Sequence, residues 1–430
     1  MRYNKFYLLV LAVPVVAALF SQGCENTARF ANTAPSGLTL LPSKCFVATG
    51  QTVRLVGDAK DDDGDSLTFH WKASKGSFTP SSATGVAVDW RAPVEPGTVV
   101  ITMTVTDDVV KVSKAQSITV CTVFPGTVTS SRTIENTGYV YILTNRDPLV
   151  IPSIATLTIE PGVTIVIDSE TGGFATFGRI EARGHTGNKI KVQGNTCSTG
   201  SGLWEGVYLY EATGRGTFAN ADITMSKYGI QVVDGAKLTM DSCEIYNNQD
   251  MGIGVRNTGS RAEIHSCKIW DNGVGVYVIN GEADIRGSSI RYSGGNGIEL
   301  SFSLDATPVT IDSCSIGNNG ISGIHLSEKA GPEIHYCSIF SNGGNPGEMN
   351  YGIRLASYVA FDSIQAQNNY WGVNMNTPAE ISAAIYDAGD NPSQLKAYVD
   401  FTPWLNEGPI VTTSSDARSA RGRPWARLWR

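Results

Sequence analysis

A four-residue phrase, Gly-[Ile/Val]-x-[Val/Leu], recurs six times after residue 228 and constrains the fold of this chain more than any other feature. It reads Gly229-Ile230-Gln231-Val232, Gly252-Ile253-Gly254-Val255, Gly275-Val276-Tyr277-Val278, Gly297-Ile298-Glu299-Leu300, Gly323-Ile324-His325-Leu326 and Gly352-Ile353-Arg354-Leu355. Successive glycines stand 23, 23, 22, 26 and 29 residues apart. A second element precedes most copies: Ser242-Cys243-Glu244-Ile245, Ser266-Cys267-Lys268-Ile269, Gly287-Ser288-Ser289-Ile290, Ser313-Cys314-Ser315-Ile316 and Tyr336-Cys337-Ser338-Ile339. Three residues after its Ile come Asn248, Asn272, Ser293, Asn319 and Asn342. Apolar residues two apart follow strand period. A unit this small cannot bury its apolar face alone, so neighbours must stack, placing equivalent residues in parallel strands ~4.8 Å apart. One inward column is then Met240, Ile264, Ile285, Ile311, Ile334 and Phe361. Another is Cys243, Cys267, Ser288, Cys314 and Cys337, ending at Ile364. The Asn column belongs at a corner, where side-chain amides bond one another and turn backbone. Composition agrees: 46 of 430 residues are Gly and only 17% are charged, as expected of a strand-and-turn protein.

The repeat resembles the right-handed parallel β-helix of the pectate-lyase-like fold. Upstream segments fit the same resemblance: Leu157-Thr158-Ile159-Glu160-Pro161-Gly162-Val163, Gly178-Arg179-Ile180-Glu181-Ala182-Arg183-Gly184 and Trp204-Glu205-Gly206-Val207. So does the end, with Asn368-Asn369-Tyr370-Trp371-Gly372, Ile385-Tyr386-Asp387 and Val399-Asp400-Phe401-Thr402-Pro403-Trp404-Leu405. The resemblance spans residues 130–405 and implies an all-β solenoid. Thr377-Pro378-Ala379-Glu380 is a capping box with Pro in the first turn. It predicts a short helix over 378–386 that closes the open end.

Residues 38–123 hold short β-rich runs separated by Gly, Pro, Asp and Ser, which suggests a β-sandwich. The run from Gly57 to Trp71, then Trp90-Arg91-Ala92-Pro93 and Val105-Thr106-Asp107, resembles the polycystic-kidney-disease (PKD) type of immunoglobulin-like module. That resemblance implies a spacer or adhesion module. In such sandwiches the first and last strands lie close, so a Cys45–Cys121 disulfide is expected. Asp61, Asp63 and Asp65 alternate as hard-cation ligands do. Calcium there competes with a plain solvated acidic turn.

Arg2 and Lys5 precede a 14-residue apolar run, Tyr7 to Phe20, followed by Ser21-Gln22-Gly23-Cys24. Such a charged and then apolar segment is an export signal. It resembles a bacterial lipoprotein signal over 1–23, although Ser21 stands where that family favours Leu. The resemblance implies lipidation at Cys24, a membrane anchor, and a place in the cell envelope, periplasmic or surface-exposed. Residues 24–37 read as a tether. At the other end, 406–430 form a tail in which five Arg (418, 421, 423, 427, 430) face one Asp, with Trp425 and Trp429 interleaved. The overall charge of −7 argues against nucleic acid. A monomer is expected.

Of eight cysteines, one is the lipid site, two form the expected pair, four sit in the ladder as small apolar groups, and Cys197 is left single. Residues between anchor positions point outward. Glu299, His325 and Arg354 then place a carboxylate, an imidazole and a guanidinium on consecutive coils, suited to acid–base work on a sugar or to binding a uronate carboxylate. A ladder of compatible charges on a solvated face is the competing reading. A second outward column, Asp241, His265, Arg286, Asp312, His335 and Asp362, also alternates in sign. Tyr208, Tyr210 and Tyr277 are candidate sugar contacts. The NTD, DD, GHG and RIK strings of polygalacturonases do not occur in 140–370, so no catalytic residue carries over. The first expectation is therefore a non-catalytic lipoprotein presenting its β-helix to a polysaccharide or cell-surface protein. The alternatives are a polysaccharide lyase or hydrolase with a non-standard site, and a scaffold or adhesin.

Overall fold

Apolar–polar alternation folds residues 36–123 into two facing layers. The strands are β1 (Ser36–Pro42), β2 (Phe46–Ala48), β3 (Thr52–Lys60), β4 (Thr68–Ala73), β5 (Ser77–Thr79), β6 (Ala87–Arg91), β7 (Gly97–Thr106) and β8 (Lys111–Val123). One layer runs β1-β3-β6-β5, antiparallel throughout. The other pairs β4, β7 and β8 antiparallel and adds β2 parallel to β8. Trp90, Leu55, Ile101, Met103 and Ile118 fill the space between them, at 0% exposure. The Trp90 indole donates to Lys75 O at 3.0 Å. Gly76 makes this possible: at φ +89° a Cβ there would stand 2.5 Å from Trp90 Nε1. This computed structural model describes residues 32–197, 200–303, 308–343, 351–357 and 363–408. Cys24 with the signal segment, most of the Arg-rich tail, and Phe361 and Asp362 lie outside them.

From Arg132 onward each coil contributes one strand to each of three parallel sheets. The flank sheet has 11 strands, from Arg132–Ile134 to Tyr398–Asp400. The anchor sheet has 10, from Leu149–Ile151 to Ile385–Tyr386, and carries the Gly-[Ile/Val] phrase. The junction sheet carries the Cys ladder and is described below. Inward columns are in register as expected over Met240, Ile264, Ile285, Ile311 and Ile334, which pair in sequence, each at 0% exposure. The last coil departs from expectation: Glu333 pairs with Gln365, which sets Ala366 rather than Phe361 after Ile334, and Ile364 lies in the flank sheet rather than after Cys337. The ladder thiols Cys243, Cys267, Cys314 and Cys337 are buried and unbridged.

Two polar ladders hold the corners. Asn248 donates to Asn272 Oδ1 at 2.9 Å and Asn319 to Asn342 Oδ1 at 3.0 Å. The backbone N–H groups of Asn248 and Asn319 reach the same oxygens. At the other corner Asn369 takes the place after Cys337 in the Cys ladder, accepting from Cys337 N at 2.8 Å. These bonds satisfy amides that burial would otherwise strand at a cost of ~1–3 kcal/mol each. A second corner sets its residue in the left-handed region at Ser242, Ser266, Gly287, Ser313 and Tyr336, with φ of 54°, 54°, 55°, 55° and 55°.

At the far end Thr377 and Glu380 form the expected capping box: Thr377 N donates to Glu380 Oε2 and Glu380 N to Thr377 Oγ1. The helix, α1, is shorter than the sequence suggests, Pro378–Ala383. Ile385 and Tyr386 leave it because they pair with Ile353 and Arg354 as the last anchor strand.

The sandwich and solenoid share a sheet. Strand β8 pairs in parallel with β9 (Tyr141–Leu143), Tyr141 opposite Thr122 and Ile142 opposite Val123, so the junction sheet runs unbroken from β4 through the solenoid with 13 strands. A small core of Ala48, Cys121, Ile142 and Val166 seals the seam. Asn195 brackets Phe46, accepting from its N–H at 3.2 Å and donating to its O at 2.7 Å. Lys44 pairs with Asp168 at 2.5 Å.

This seam overturns the expected disulfide. Cys45 is bonded to Cys197, Cα–Cα 5.0 Å, and Cys121 is free. In the β2–β8 register Cys121 lies opposite Ala48, not Cys45, and its side chain belongs to the seam core. Burial there pushes its thiol up to about 12, which removes thiolate character. A non-reducing peptide map is expected to join Cys45 to Cys197 and leave Cys121 unpaired. Cys197→Ser should cost ~2–4 kcal/mol in denaturant unfolding, and Cys121→Ser should leave the linkage intact.

Candidate functional site

The outward positions of the anchor sheet gather the residues singled out in the sequence onto one face. Its central column is Val150, Ala175, Tyr208, Gln231, Gly254, Tyr277, Glu299, His325, Arg354 and Tyr386, each paired with the next. Register spacing of ~4.8 Å per coil brings Glu299, His325 and Arg354 together as neighbours. It holds Tyr277 beside Glu299, and Tyr208 three strands before Tyr277.

Two aromatic groups frame the charged centre. Tyr210 stacks against Phe177 at 5.2 Å and Tyr208 at 5.6 Å, and Tyr228 meets Tyr208 edge-on at 6.2 Å. Ring neighbours therefore occupy Tyr210, and this group offers hydroxyls and edges more than open ring faces. Lys227 lies 5.0 Å from the Tyr228 ring centre and Arg256 5.3 Å from that of Tyr277, within cation–π range. Past Arg354, Tyr351 and Tyr386 sit 5.2 Å apart. Tyr228, Lys227, Arg256, Tyr351 and Tyr386 were not singled out in the sequence. Extending the register column to every strand would have found Tyr386, while the others flank the column and needed side-chain positions.

The charged centre differs from the flank ladder. On the flank sheet His265 and Arg286 both face Asp284, at 3.7 and 2.6 Å, and Arg261 pairs with Glu263 and Glu282, each at 3.2 Å. Among the described residues Glu299, His325 and Arg354 form no ion pair. Glu299 accepts from Asn296 Nδ2 at 2.9 Å. His325 Nδ1 and Arg354 Nε, both buried, have no hydrogen-bond partner among the described residues. Burial lowers the His325 pKa, Glu299 opposes this and Arg354 adds to it, so the imidazole is neutral at pH 7. Burial, and then the nearby Glu205 carboxylate, raise the Tyr208 hydroxyl, keeping it a hydrogen-bond donor.

The acidic turn lies on the sandwich. Asp61, Asp63 and Asp65 each bring an oxygen within 4.8 Å of the others. Asp61 Oδ1 already accepts from Asp63 N and Asp65 N. Local desolvation, then the Asp61, Asp63 and Asp107 carboxylates, raises the pKa of the exposed Asp65 carboxyl. The oxygen-only donor set fits a hard cation.

Sequence comparison agrees with this architecture. The family described as right handed beta helix region matches residues 155–283 and again 251–386, together more than half of the chain. The PKD domain family matches 37–121. The chain belongs to the right-handed β-helix family and carries a PKD domain ahead of the solenoid. No curated protein matches. Among solved structures, the A-module of an Azotobacter vinelandii mannuronan C-5 epimerase aligns at 14% identity and TM-score 0.40, covering 65% of this chain and 85% of its own. A pectate lyase aligns at 13% identity and TM-score 0.30, covering 60% and 71%.

The lowered His325 pKa has a signed consequence. The unfolded chain binds a proton at this group more readily than the folded one. Stability from it is complete above the ordinary histidine value of ~6.5 and falls as pH drops through that value toward the folded pKa. In His325→Gln that share of the acid-side loss should vanish from denaturant midpoints measured between pH 7 and 5. An unchanged pH profile would contradict the burial of a neutral imidazole.

Proposed function

We propose that this protein is exported to the cell envelope, anchored by lipid at Cys24, and binds carbohydrate along the outward face of the anchor sheet as a monomer. One observation carries this reading: among the described residues Glu299, His325 and Arg354 adjoin on consecutive coils without ion pairs, while flank charges pair among themselves. Groups not neutralised by one another keep donor and acceptor capacity for a ligand rich in hydroxyls and carboxylates. A carboxylate accepts from sugar hydroxyls, a neutral imidazole does either, and a guanidinium takes a sugar carboxylate in two bonds. Tyrosine hydroxyls at both ends extend the same chemistry. An acidic polysaccharide therefore fits better than a neutral one.

A second reading uses the same residues for catalysis. A neutral imidazole beside a carboxylate is a general base near pH 7, and Arg354 would steady the charge formed as a proton leaves carbon. The lowered His325 pKa favours this reading. The PKD domain, which widens the surface open to a cell-surface protein, would carry Ca2+ at Asp61, Asp63 and Asp65.

Titration of acidic and neutral polysaccharides against the full chain, with and without Ca2+, tests both. Saturable binding of an acidic glycan, weakened ~10-fold or more by Arg354→Ala, is expected. Binding without turnover sinks the enzyme reading. Product formation abolished by His325→Gln establishes it. Neither binding nor turnover leaves a protein partner.

A further inference from the structure

The seam between sandwich and solenoid holds a polar crevice that neither reading above uses. Its volume is about 500 Å3, within the range of ligand pockets, which favour domain boundaries. The sandwich supplies Lys44 and Gln51. Two successive corners of the solenoid supply the rest, Thr144 and Arg146 from one and Asp168 to Thr171 from the next. Both domains are needed to build it. The corners are fixed by their own backbone. Asp168 N donates to Leu143 O at 2.8 Å and Gly172 N to Ser169 O at 3.1 Å. The Thr171 hydroxyl donates to Arg146 O and so ties one corner to the other. A Cβ built on Gly172 would stand 2.9 Å from Asn145 O, so the second corner lies directly on the first.

Charge is unevenly spent within the crevice. Each Asp168 oxygen already has a donor, Lys44 Nζ on Oδ2 and Asn195 Nδ2 on Oδ1 at 2.9 Å, and the Asp168 side chain is only 11% exposed. That pair cancels the charge of Lys44. Two opposite charges remain. Among the described residues the Arg146 and Glu170 side chains form no hydrogen bond or ion pair, with each other or with any neighbour. A free cation and a free anion lining one space suit a ligand that carries both signs. A guanidinium takes a carboxylate in two bonds, and a carboxylate accepts from an ammonium. The Gln51 amide and the Thr144 and Ser169 hydroxyls each donate and accept, as the N–H and C=O groups of a peptide backbone require.

We propose that the seam crevice binds a short peptide by its two charged ends, the α-carboxylate at Arg146 and the α-ammonium at Glu170, with Gln51, Thr144 and Ser169 along its backbone. The walls are preorganised, because the shared sheet and the corner bonds hold them in place without a ligand, and this lowers the entropic cost of binding. The site is separate from the anchor sheet and stands whether or not that face binds a glycan.

Calorimetric titration of the full chain with trialanine decides it. Saturable binding is expected, weakened ~10-fold or more when the peptide is N-acetylated or C-amidated, since each block deletes one end charge. Arg146→Gln should weaken the free peptide by a similar factor and make C-amidation indifferent. Glu170→Gln should do the same for N-acetylation. Both side chains are exposed and unpaired, so both variants should unfold at the wild-type denaturant midpoint. Arg354→Ala should leave peptide binding unchanged. No saturable binding of trialanine would overturn the proposal. So would equal affinity for free and blocked peptides, or a loss on Arg354→Ala equal to that on Arg146→Gln. Binding of trigalacturonate through Arg146, with none of the peptide, would overturn it too and would assign the crevice to an acidic glycan.

Discussion

Backbone pairing between equivalent residues of successive coils underlies every other feature of this protein. The glycine opening each anchor phrase shows how tight that pairing is. A Cβ at Gly229 would stand 2.2 Å from Gly252 O, one at Gly275 2.4 Å from Gly297 O, and one at Gly323 2.6 Å from Gly352 O. Glycine recurs there because the next coil's carbonyl occupies the space a side chain would fill. Once this contact sets the register, the isoleucine columns close inward and the asparagine amides meet at the corner. Identical outward positions then line up across coils, and the charged centre is a product of that alignment.

A parallel solenoid must also protect two open ends. At the N-terminal end the PKD domain does this directly. Strand β8 belongs to an antiparallel sandwich sheet and to the parallel stack at once, and the Cys45–Cys197 bond ties β2 to a solenoid loop across 152 residues of sequence. The domain thus caps the solenoid, sharing one continuous sheet with it. At the C-terminal end α1 covers part of the edge with Ile381, which is 0% exposed.

Most of the solenoid was legible in the sequence because its signals are local and repeated. The Ile and Cys columns as far as Ile334 and Cys337, and the Asn ladder, could be aligned by spacing alone; the longer last coil put Ala366 and Asn369 where spacing had put Phe361 and Ile364. The seam was not legible. Residues 124–131 resemble a simple gap between zones, and no periodicity announces that β8 pairs forward. The disulfide failed for the same reason: Cys45, Cys121 and Cys197 allow three pairings, and the choice depends on the seam. The length of α1 was misjudged because Ile385 fits an apolar helical stripe and a strand position equally well, and pairing with Ile353 decides between them. Of the candidate site, the order Glu299, His325, Arg354 was readable. Its distinction from the flank ladder was not, because both columns alternate in sign and only side-chain pairing separates them.

If register is the organising constraint, one whole coil can be removed without penalty to the others. Deleting residues 252–274 joins Met251 to Gly275, and Met251 is the register partner of Val274, so each column closes with its neighbours still aligned. The unfolding transition of this shortened chain tests the account most directly. A single cooperative transition, weakened by no more than about one coil's share of the stability, is predicted. A chain that no longer folds, or one that unfolds in separate steps on either side of the deletion, would contradict it.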